Sequence, residues 1–346
     1  MFPTETLFMV NTGKIIVLAY PDTFVKMSDE WICKLLPLVG LGTWDYIKAG
    51  HAAQVLVHPE TGVLHYYDFG RYFTPKGFGR VRSAHTDAEL TLPMKAQFDH
   101  SGAISNLSEI LIWLEAHPEK THGKGRLLAS VCESIDFCAA KTFVTSLQQQ
   151  GAIPYKAFHK KGSNCSRFVT DTLLAATFDK KIRKGLLFNK RFTPSTVGNV
   201  EKAATNTRIY RVKNGKIALY HGSAFKENLT NYFHRKPRQT SLFQALAHDI
   251  VAVFHKIEGI GSNAYFEIVQ TDLPMGHFRI KKYNDFLEED FDGVYFSEKF
   301  NFLNPYKFTY ESHYAYCHVI QDEQKIKLER VSSFKEFNSL QKERSA

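Results

Sequence analysis

The chain has 346 residues, of which 44% are hydrophobic, and 44 basic against 35 acidic side chains give it a net charge of +9. This length allows a large buried core and predicts two domains, while no run approaches the roughly 20 apolar residues that a membrane-spanning helix requires. The five cysteines lack the pair spacing of a metal site, and the N-terminus lacks a secretory pattern. We therefore expect a cytoplasmic protein, with export by a signal-independent route left open.

The first fifty residues predict a strand followed by a short helix. The apolar run from Lys14 to Tyr20 is typical of a buried strand, and the apolar spacing from Asp29 to Val39 predicts a helix capped by Ser28 or Asp29. Glycines at positions 40, 42 and 50 then make the approach to His51 irregular. A tightly turned backbone there leaves room for a substrate beside the histidine.

Residues 51–57 and 63–69 predict a β-hairpin. Pro59 suits the first central position of a type I turn and Gly62 suits its left-handed exit, which predicts a loop of four residues. The register of this hairpin decides which side chain lies beside His51.

With His58 paired to Val63, Ala53 lies opposite Asp68, and Asp68 shares the sheet face of His51. An aspartate in that position can orient the imidazole, as the third member of a cysteine-type triad does.

A register shifted by one residue would place His65 and Tyr67 on that face instead. We favour Asp68 over His65. The competing interpretation of Asp68 is a plain salt bridge to Arg71.

The stretch that follows is dense in aromatic residues, glycines and arginines, the latter at 71, 80 and 82. It predicts either a pocket that recognises a carboxylate or phosphate, or closure of a sheet edge. Further along, pattern and periodicity predict a strand over 88–98, a helix over 107–116 capped by Ser105 or Asn106, a strand over 126–135 and a helix over 136–150.

The stretch around Cys165 places a cysteine where a loop meets an apolar-periodic helix. Ser163 or Asn164 can cap this helix, so we expect Cys165 in its first turn, among backbone N–H groups without a helical partner. The positive end of a helix dipole favours a thiolate, and the same N–H groups can hold an oxyanion. The best candidate for the base that a nucleophile needs is His51.

The Gly50-His51 strand start and the later Asn164-Cys165-x-x-Phe168-Val169 string resemble a bacterial branch of the circularly permuted papain-like, NlpC-type cysteine hydrolases. The second string also resembles the nucleophile motif of lecithin:retinol acyltransferase-like proteins. The resemblance covers about half of the chain and implies an antiparallel sheet with packed helices, a cysteine nucleophile, a histidine base and a polar residue on the next strand. Relatives in this family include peptidoglycan amidases and endopeptidases as well as lipid acyltransferases and phospholipases.

The character of the sequence changes after residue 177. Residues 178–202 are basic and predict a connecting segment on the surface, and residues 203–346 predict an α+β accessory domain. Its predicted elements are a hairpin over 208–221 turning at Asn214-Gly215, a helix from Ser241 to His255, strands near 264–270, 276–282 and 292–297, and a hairpin joining Thr309–Ile320 to Lys325–Val331.

Together these features predict an α+β protein whose residues 1–177 form a permuted papain-like hydrolase domain. We expect it to cleave an amide bond in a peptide, isopeptide or peptidoglycan stem, with Cys165, His51 and Asp68 catalytic and with Arg71 and Asn164 contacting the substrate. This chemistry needs no metal or organic cofactor. The alternatives are a lipid acyltransferase- or phospholipase-like thiol enzyme, or a non-catalytic binding or effector protein that retains the fold.

The expected partners follow from the same features. We expect a peptide-like or cell-wall-like substrate and a protein partner for the C-terminal domain. We expect no nucleic acid, because no recognised nucleic-acid module accompanies the basic clusters.

Overall fold

The computed structural model describes residues 12–159, 161–191, 193–234, 254–260, 263–284 and 287–345. The helices are α1 Leu107–Ala116, α2 Pro118–Thr121, α3 Phe137–Gln149, α4 Cys165–Ala176, α5 Lys180–Asn189, α6 Thr196–Ala203, α7 Ala224–Tyr232 and α8 Phe334–Ser345, with 3₁₀ turns at Trp31–Lys34, Leu36–Val39 and Ala88–Leu90. The strands are β1 Thr12–Tyr20, β2 Val25–Lys26, β3 Tyr46–Ile47, β4 His51–Val57, β5 Leu64–Gly70, β6 Phe78–Arg82, β7 Leu127–Asp136, β8 Ile153–Pro154, β9 Tyr210–Lys213, β10 Lys216–Leu219, β11 His255–Ile257, β12 Ala264–Val269, β13 His277–Tyr283, β14 Glu289–Phe296, β15 Lys307–Phe308, β16 Tyr316–Gln321 and β17 Gln324–Ser333.

The chain divides into two compact units. The first unit contains the described parts of Met1–Phe69, Leu92–Gln149 and Asn164–Lys236, and the second contains those of Gly70–Thr91, Gln150–Ser163 and Pro237–Ala346. Both units combine helices with antiparallel strands, so the predicted α+β class is confirmed. No helix within the described ranges is both long and apolar enough to cross a bilayer.

The first unit is built on an antiparallel sheet in the order β10-β9-β7-β1-β4-β5. Strand β1 is central, and its residues from Ile16 to Tyr20 are buried, as the apolar run predicted. Helices α3 and α4 pack against β4, and α6 packs against β1 and β7. The sheet therefore brings the start of β4, where His51 lies, into a helix-covered core.

The segment 178–202, which its basic composition predicts to be a connecting segment on the surface, is largely helical. It forms α5 and α6, and α6 buries Val197, Val200 and Ala203 in the first unit. The side chain of Ser195 caps α6 by accepting a hydrogen bond from the backbone N–H of Gly198 at 2.9 Å. A short apolar face outweighs the charge of its neighbours, because burying it against the sheet stabilises the fold.

The two compact units do not follow the predicted boundary at 203. The hairpin of β9 and β10 turns at Asn214-Gly215 as predicted, but β9 pairs with β7 of the first unit. Conversely, residues 70–91 and 150–163, which fall inside the predicted hydrolase domain 1–177, cluster with the second unit. Long-range pairing of this kind leaves no local signal in the sequence.

Two local predictions fail because of prolines. The helix predicted over 29–39 is a pair of 3₁₀ turns, the second with Pro37 at its start. Residues 88–98 do not form the predicted strand. They form a 3₁₀ turn and isolated bridges, because Pro93 has no N–H to donate to a ladder. Helix α1 begins and ends as predicted, although its N-cap residue Asn106 bonds the backbone of Gln97 and Lys95 rather than its own helix.

The second unit contains a seven-stranded antiparallel sheet in the order β11-β12-β13-β14-β17-β16-β15. Strands β12, β13, β14, β16 and β17 confirm the predicted strands, and Ile320 pairs with Lys325 across the final hairpin. An aromatic core that includes Tyr72, Phe266 and Tyr295 covers one side. The helix predicted from Ser241 to His255 falls mainly on residues 241–253, which lie outside the described residues, and His255 itself begins β11.

Candidate active site

Helix α4 begins at Cys165, as the sequence predicted. Asn164 is extended at the N-cap, with φ −147° and ψ 174°, and its side-chain oxygen accepts a hydrogen bond from the backbone N–H of Arg167 at 2.9 Å. Its carbonyl accepts the N–H of Phe168 at 2.9 Å. Helix geometry leaves the N–H groups of Cys165 and Ser166 without intrahelical partners, so a pair of donors lies beside the sulfur.

The β4–β5 hairpin has the register that favours Asp68. The N–H of His58 donates to the carbonyl of Val63 at 2.9 Å, and Ala53 lies opposite Asp68. Because side chains alternate along a strand, His51 and Asp68 share a face. Of the two registers considered from the sequence, the one that places His65 and Tyr67 beside His51 is therefore wrong.

The imidazole of His51 lies beside Asp68 and interacts electrostatically with Cys165. Its Nε2 lies 3.4 Å from Oδ2 of Asp68, which is an ion-pair distance somewhat longer than an ordinary N–H···O hydrogen bond. The charges of Asp68 and Cys165 both act on the ring, and Nε2 makes no hydrogen bond to the described residues within ordinary geometric limits. Catalytic hydrogen bonds in unliganded sites are often this long.

Burial and the neighbouring side chains shift the pKa of His51 in opposite directions. Burial lowers its pKa, but the interactions of the ring with Asp68 and Cys165 outweigh burial and raise that pKa to about 9. The imidazole is therefore cationic at neutral pH, which is the state that pairs with a thiolate. Cys165 is 7% exposed and His51 is 6% exposed, so the pair is largely shielded from water.

The side chain of Asp68 is completely buried, so its carboxylate requires hydrogen-bond or ion-pair partners. The hydroxyl of Tyr66 donates to Oδ2 of Asp68 at 3.2 Å and also lies 3.4 Å from the carbonyl of Thr121. Two groups thus converge on one carboxylate oxygen: an imidazole and a phenol. A buried carboxylate held in this way can fix the orientation of an imidazole.

The sequence patterns did not identify two tyrosines of this site. Tyr66 lies two residues before Asp68 and so shares its face, a signal that the alternation of β5 contained. Tyr20 is the cross-strand partner of His51 and stacks with it at 6.4 Å between ring centroids. Nothing in the sequence pairs Tyr20 with His51, because the β1–β4 register is a tertiary feature.

The alternative residues on the other face of β5 have different surroundings. His65 lies opposite Leu56 and beside Phe137, and burial lowers its pKa to about 4, followed in effect by the charge of Lys141. The hydroxyl of Tyr67 accepts a hydrogen bond from Nζ of Lys141 at 2.8 Å. These residues belong to the packing of α3.

The arginine-rich stretch belongs to the second unit and largely serves its core. Arg80 forms a buried two-pronged pair with Asp87 at 2.7 and 2.5 Å, and Arg82 lies 3.9 Å from the ring centroid of Tyr72. Arg71, the predicted substrate contact, lies 4.3 Å from the ring centroid of Tyr155. For Arg80 and Arg82 these contacts therefore favour a structural role over the recognition of a carboxylate or phosphate.

The fold and these contacts define an α+β protein with a buried Cys–His–Asp cluster at a helix start. A family model described as type VI secretion system effector TseH-like matches residues 15–182, and one described as DUF6695 C-terminal domain matches residues 254–331. The crystal structure of the type VI secretion system effector TseH is similar at 20% identity with a TM-score of 0.41, covering 61% of this chain and 99% of that chain. A comparison with curated proteins found no match. The chain is thus similar to a type VI secretion effector family over the region that contains the cluster.

Proposed function

We propose that this protein is a cysteine hydrolase of the permuted papain-like, NlpC type, and that it cleaves an amide bond. The observation that carries the proposal is the meeting of Cys165, His51 and Asp68 in one buried cluster. The pKa of about 9 for His51, which reflects burial opposed by Asp68 and Cys165, favours an imidazolium beside the sulfur. A thiolate and an imidazolium in contact are the resting state that cysteine nucleophiles need.

Each residue has a defined part in the proposed reaction. The thiolate of Cys165 attacks the carbonyl carbon, and the N–H groups of Cys165 and Ser166 stabilise the oxyanion. The imidazolium of His51 gives its proton to the departing amine, which leaves a thioester on the sulfur. Neutral His51 then takes a proton from water as the water attacks the thioester; the C–S bond breaks, the acyl group leaves as a carboxylic acid, and the thiolate–imidazolium pair is restored.

Asp68 orients His51 in both steps and stabilises its charge whenever the imidazole is protonated. Asn164 contributes by holding the start of α4, through its bond to the N–H of Arg167 at 2.9 Å. The role of Arg71 in substrate binding stays a prediction.

The similarity to TseH-like effectors supports an effector role for this chain. An effector that cleaves amides in peptides or peptidoglycan stems would damage a recipient cell. Residues 254–331 of the second unit match a different family model, and we propose that this unit binds a protein partner.

Peptidoglycan digestion tests the proposal. Purified protein is incubated with peptidoglycan sacculi and with stem peptides, and new amino groups are measured by amine labelling and mass spectrometry. We expect wild-type protein to release amines and Cys165→Ala to release none, while Cys138→Ala, which removes an exposed cysteine outside the cluster, behaves as wild type.

Alkylation with iodoacetamide provides a second test that needs no substrate. Because Cys138 is exposed, it will react as well, and the useful comparison is the rate of alkylation at each cysteine with and without His51. Cys165 should react at neutral pH at a rate that falls in His51→Ala, whereas the rate at Cys138 should stay unchanged. A Cys165 that is equally unreactive with and without His51 contradicts the proposed pair.

A further inference from the structure

Helix α5 presents a surface that the proposed reaction does not use. The exposed side chains on and next to α5, which we call the basic face, are Phe178, Lys180, Lys181, Arg183, Lys184, Leu187, Phe188 and Arg191. Ile182 and Leu186 hold the opposite side of the helix in the core. The basic face is therefore anchored to the fold while its outer side chains remain in solvent.

Charge on this face is of one sign. Residues 178–191 contain six basic side chains and one acidic side chain, Asp179, which caps α5 through the N–H groups of Lys181 and Ile182. In the described part of the chain, Lys180, Lys181 and Lys184 have no carboxylate within ion-pair distance. Uncompensated cations on one helix attract a polyanionic surface.

Large apolar side chains lie among these cations. Phe188 is 66% exposed, Phe178 is 53% exposed and Leu187 is 50% exposed. Leu187 and Phe188 line a shallow depression together with basic residues of α5, and the guanidinium of Arg191 lies 5.7 Å from the ring centroid of Phe188. Exposed phenylalanine and leucine interspersed with lysine are typical of helices that lie at a lipid–water interface.

We propose that the basic face binds the surface of a bilayer that contains anionic phospholipid. The lysines attract the phosphates of the headgroups, and Leu187, Phe188 and Phe178 enter the boundary between headgroups and acyl chains. A soluble acidic polymer or an acidic protein would use the lysines but would gain little from three exposed hydrocarbon side chains, which is why the lipid is favoured.

Flotation with vesicles tests this surface. Full-length Cys165→Ala protein is mixed with vesicles of phosphatidylcholine, with or without phosphatidylglycerol, and the bound fraction is measured. We expect binding only when phosphatidylglycerol is present, and weaker binding at high salt because exposed charges are screened. Equal binding to both vesicles, or to neither, overturns the proposal.

Variants separate the lipid from other anionic ligands. Lys180→Glu/Lys184→Glu should weaken binding by roughly thirtyfold or more, and Leu187→Ser/Phe188→Ser by about tenfold at unchanged charge. Lys76→Glu/Lys299→Glu alters the net charge equally at exposed positions of the second unit and should leave binding unchanged. The proposal is overturned if this control pair loses as much affinity as the α5 pair. It is also overturned if the serine pair binds as tightly as the parent, the result expected of an acidic protein or polymer.

The surface test is independent of the amidase activity. It uses the inactive protein, so an inactive Cys165 cluster and a non-binding α5 are distinguishable results. Thermal unfolding of each variant checks that Ile182 and Leu186 still hold the helix in place.

Discussion

Replacing Asp68 with asparagine removes the charge that holds His51 and nearly preserves shape. The pKa of His51 is raised from 6.5 to about 9, because Asp68 and Cys165 together outweigh burial. Because one pKa unit corresponds to about 1.36 kcal/mol, this difference represents about 3 kcal/mol of stabilisation of the imidazolium. With the neutral asparagine at position 68, burial is opposed only by Cys165, so we expect the pKa of His51 to fall toward or below 6.5.

Two measurable consequences follow for Asp68→Asn. The imidazolium becomes the minor form of His51 at neutral pH, and a loss of up to about 3 kcal/mol of charge stabilisation corresponds to a decrease in kcat/KM of up to roughly a hundredfold. In the wild type, kcat/KM should fall as pH rises through about 9, because His51 loses its proton there. In the variant this decline should begin at a lower pH.

Stability provides a second readout for the same substitution. Because the folded pKa of His51 lies above its unfolded value, its contribution to the free energy of unfolding is complete below about pH 6.5 and is lost as pH rises through about 9. Urea unfolding of the wild type should therefore show a decrease of up to about 3 kcal/mol between these limits from this group, and Asp68→Asn should show much less.

The assay is nuclear magnetic resonance titration of the histidine ring in both proteins. The exposed carboxylate of Asp45 supplies the control, since Asp45→Asn changes the net charge equally and should leave the pKa of His51 near 9. A His51 pKa that is unchanged in Asp68→Asn would refute the reasoning, because Asp68 would then not stabilise the imidazolium.

Three further substitutions test the neighbouring contacts. Tyr66→Phe removes the phenol that donates to Asp68 at 3.2 Å, and we expect unfolding free energy to fall by about 1–2 kcal/mol with a several-fold loss of kcat, measured by urea unfolding and amidase assay. Asn164→Ala removes the cap of α4 and should cost about 1 kcal/mol in urea unfolding; no change would mean that water replaces the cap. Gly62→Ala should destabilise by more than about 1 kcal/mol, because φ is +66° and its Cβ would lie 2.1 Å from the carbonyl oxygen of Ala96; an unchanged melting temperature would contradict this backbone conformation.

The elements that depend on neighbouring residues were predictable. The turn from Pro59 to Gly62 determines the register of β4 and β5, and that register places Asp68 on the face of His51. The cap at Asn164 likewise determines where α4 begins, and hence that Cys165 lies in its first turn. Both are consequences of backbone geometry within a few residues.

The boundaries of the units could not be predicted in the same way. Strand β9 follows a basic stretch and begins a surface-like hairpin, yet it pairs with β7, about eighty positions earlier. Residues 70–91 lie between parts of the first unit in sequence but belong to the second. Pairing over such separations depends on which edges remain open after the core has formed, and no local pattern records that.

The sequence by itself determined the chemistry that was available: a cysteine at a capped helix start, a histidine opening a strand, and an aspartate on the matching face of the next strand. Tertiary structure decided that α4 meets β4, that Tyr20 stacks on His51 and that Tyr66 donates to Asp68. The division has a physical cause. Turns and caps are set by the backbone preferences of adjacent residues, whereas contact between Cys165 and His51 depends on how apolar helix faces pack on the sheet, which is settled by the whole core.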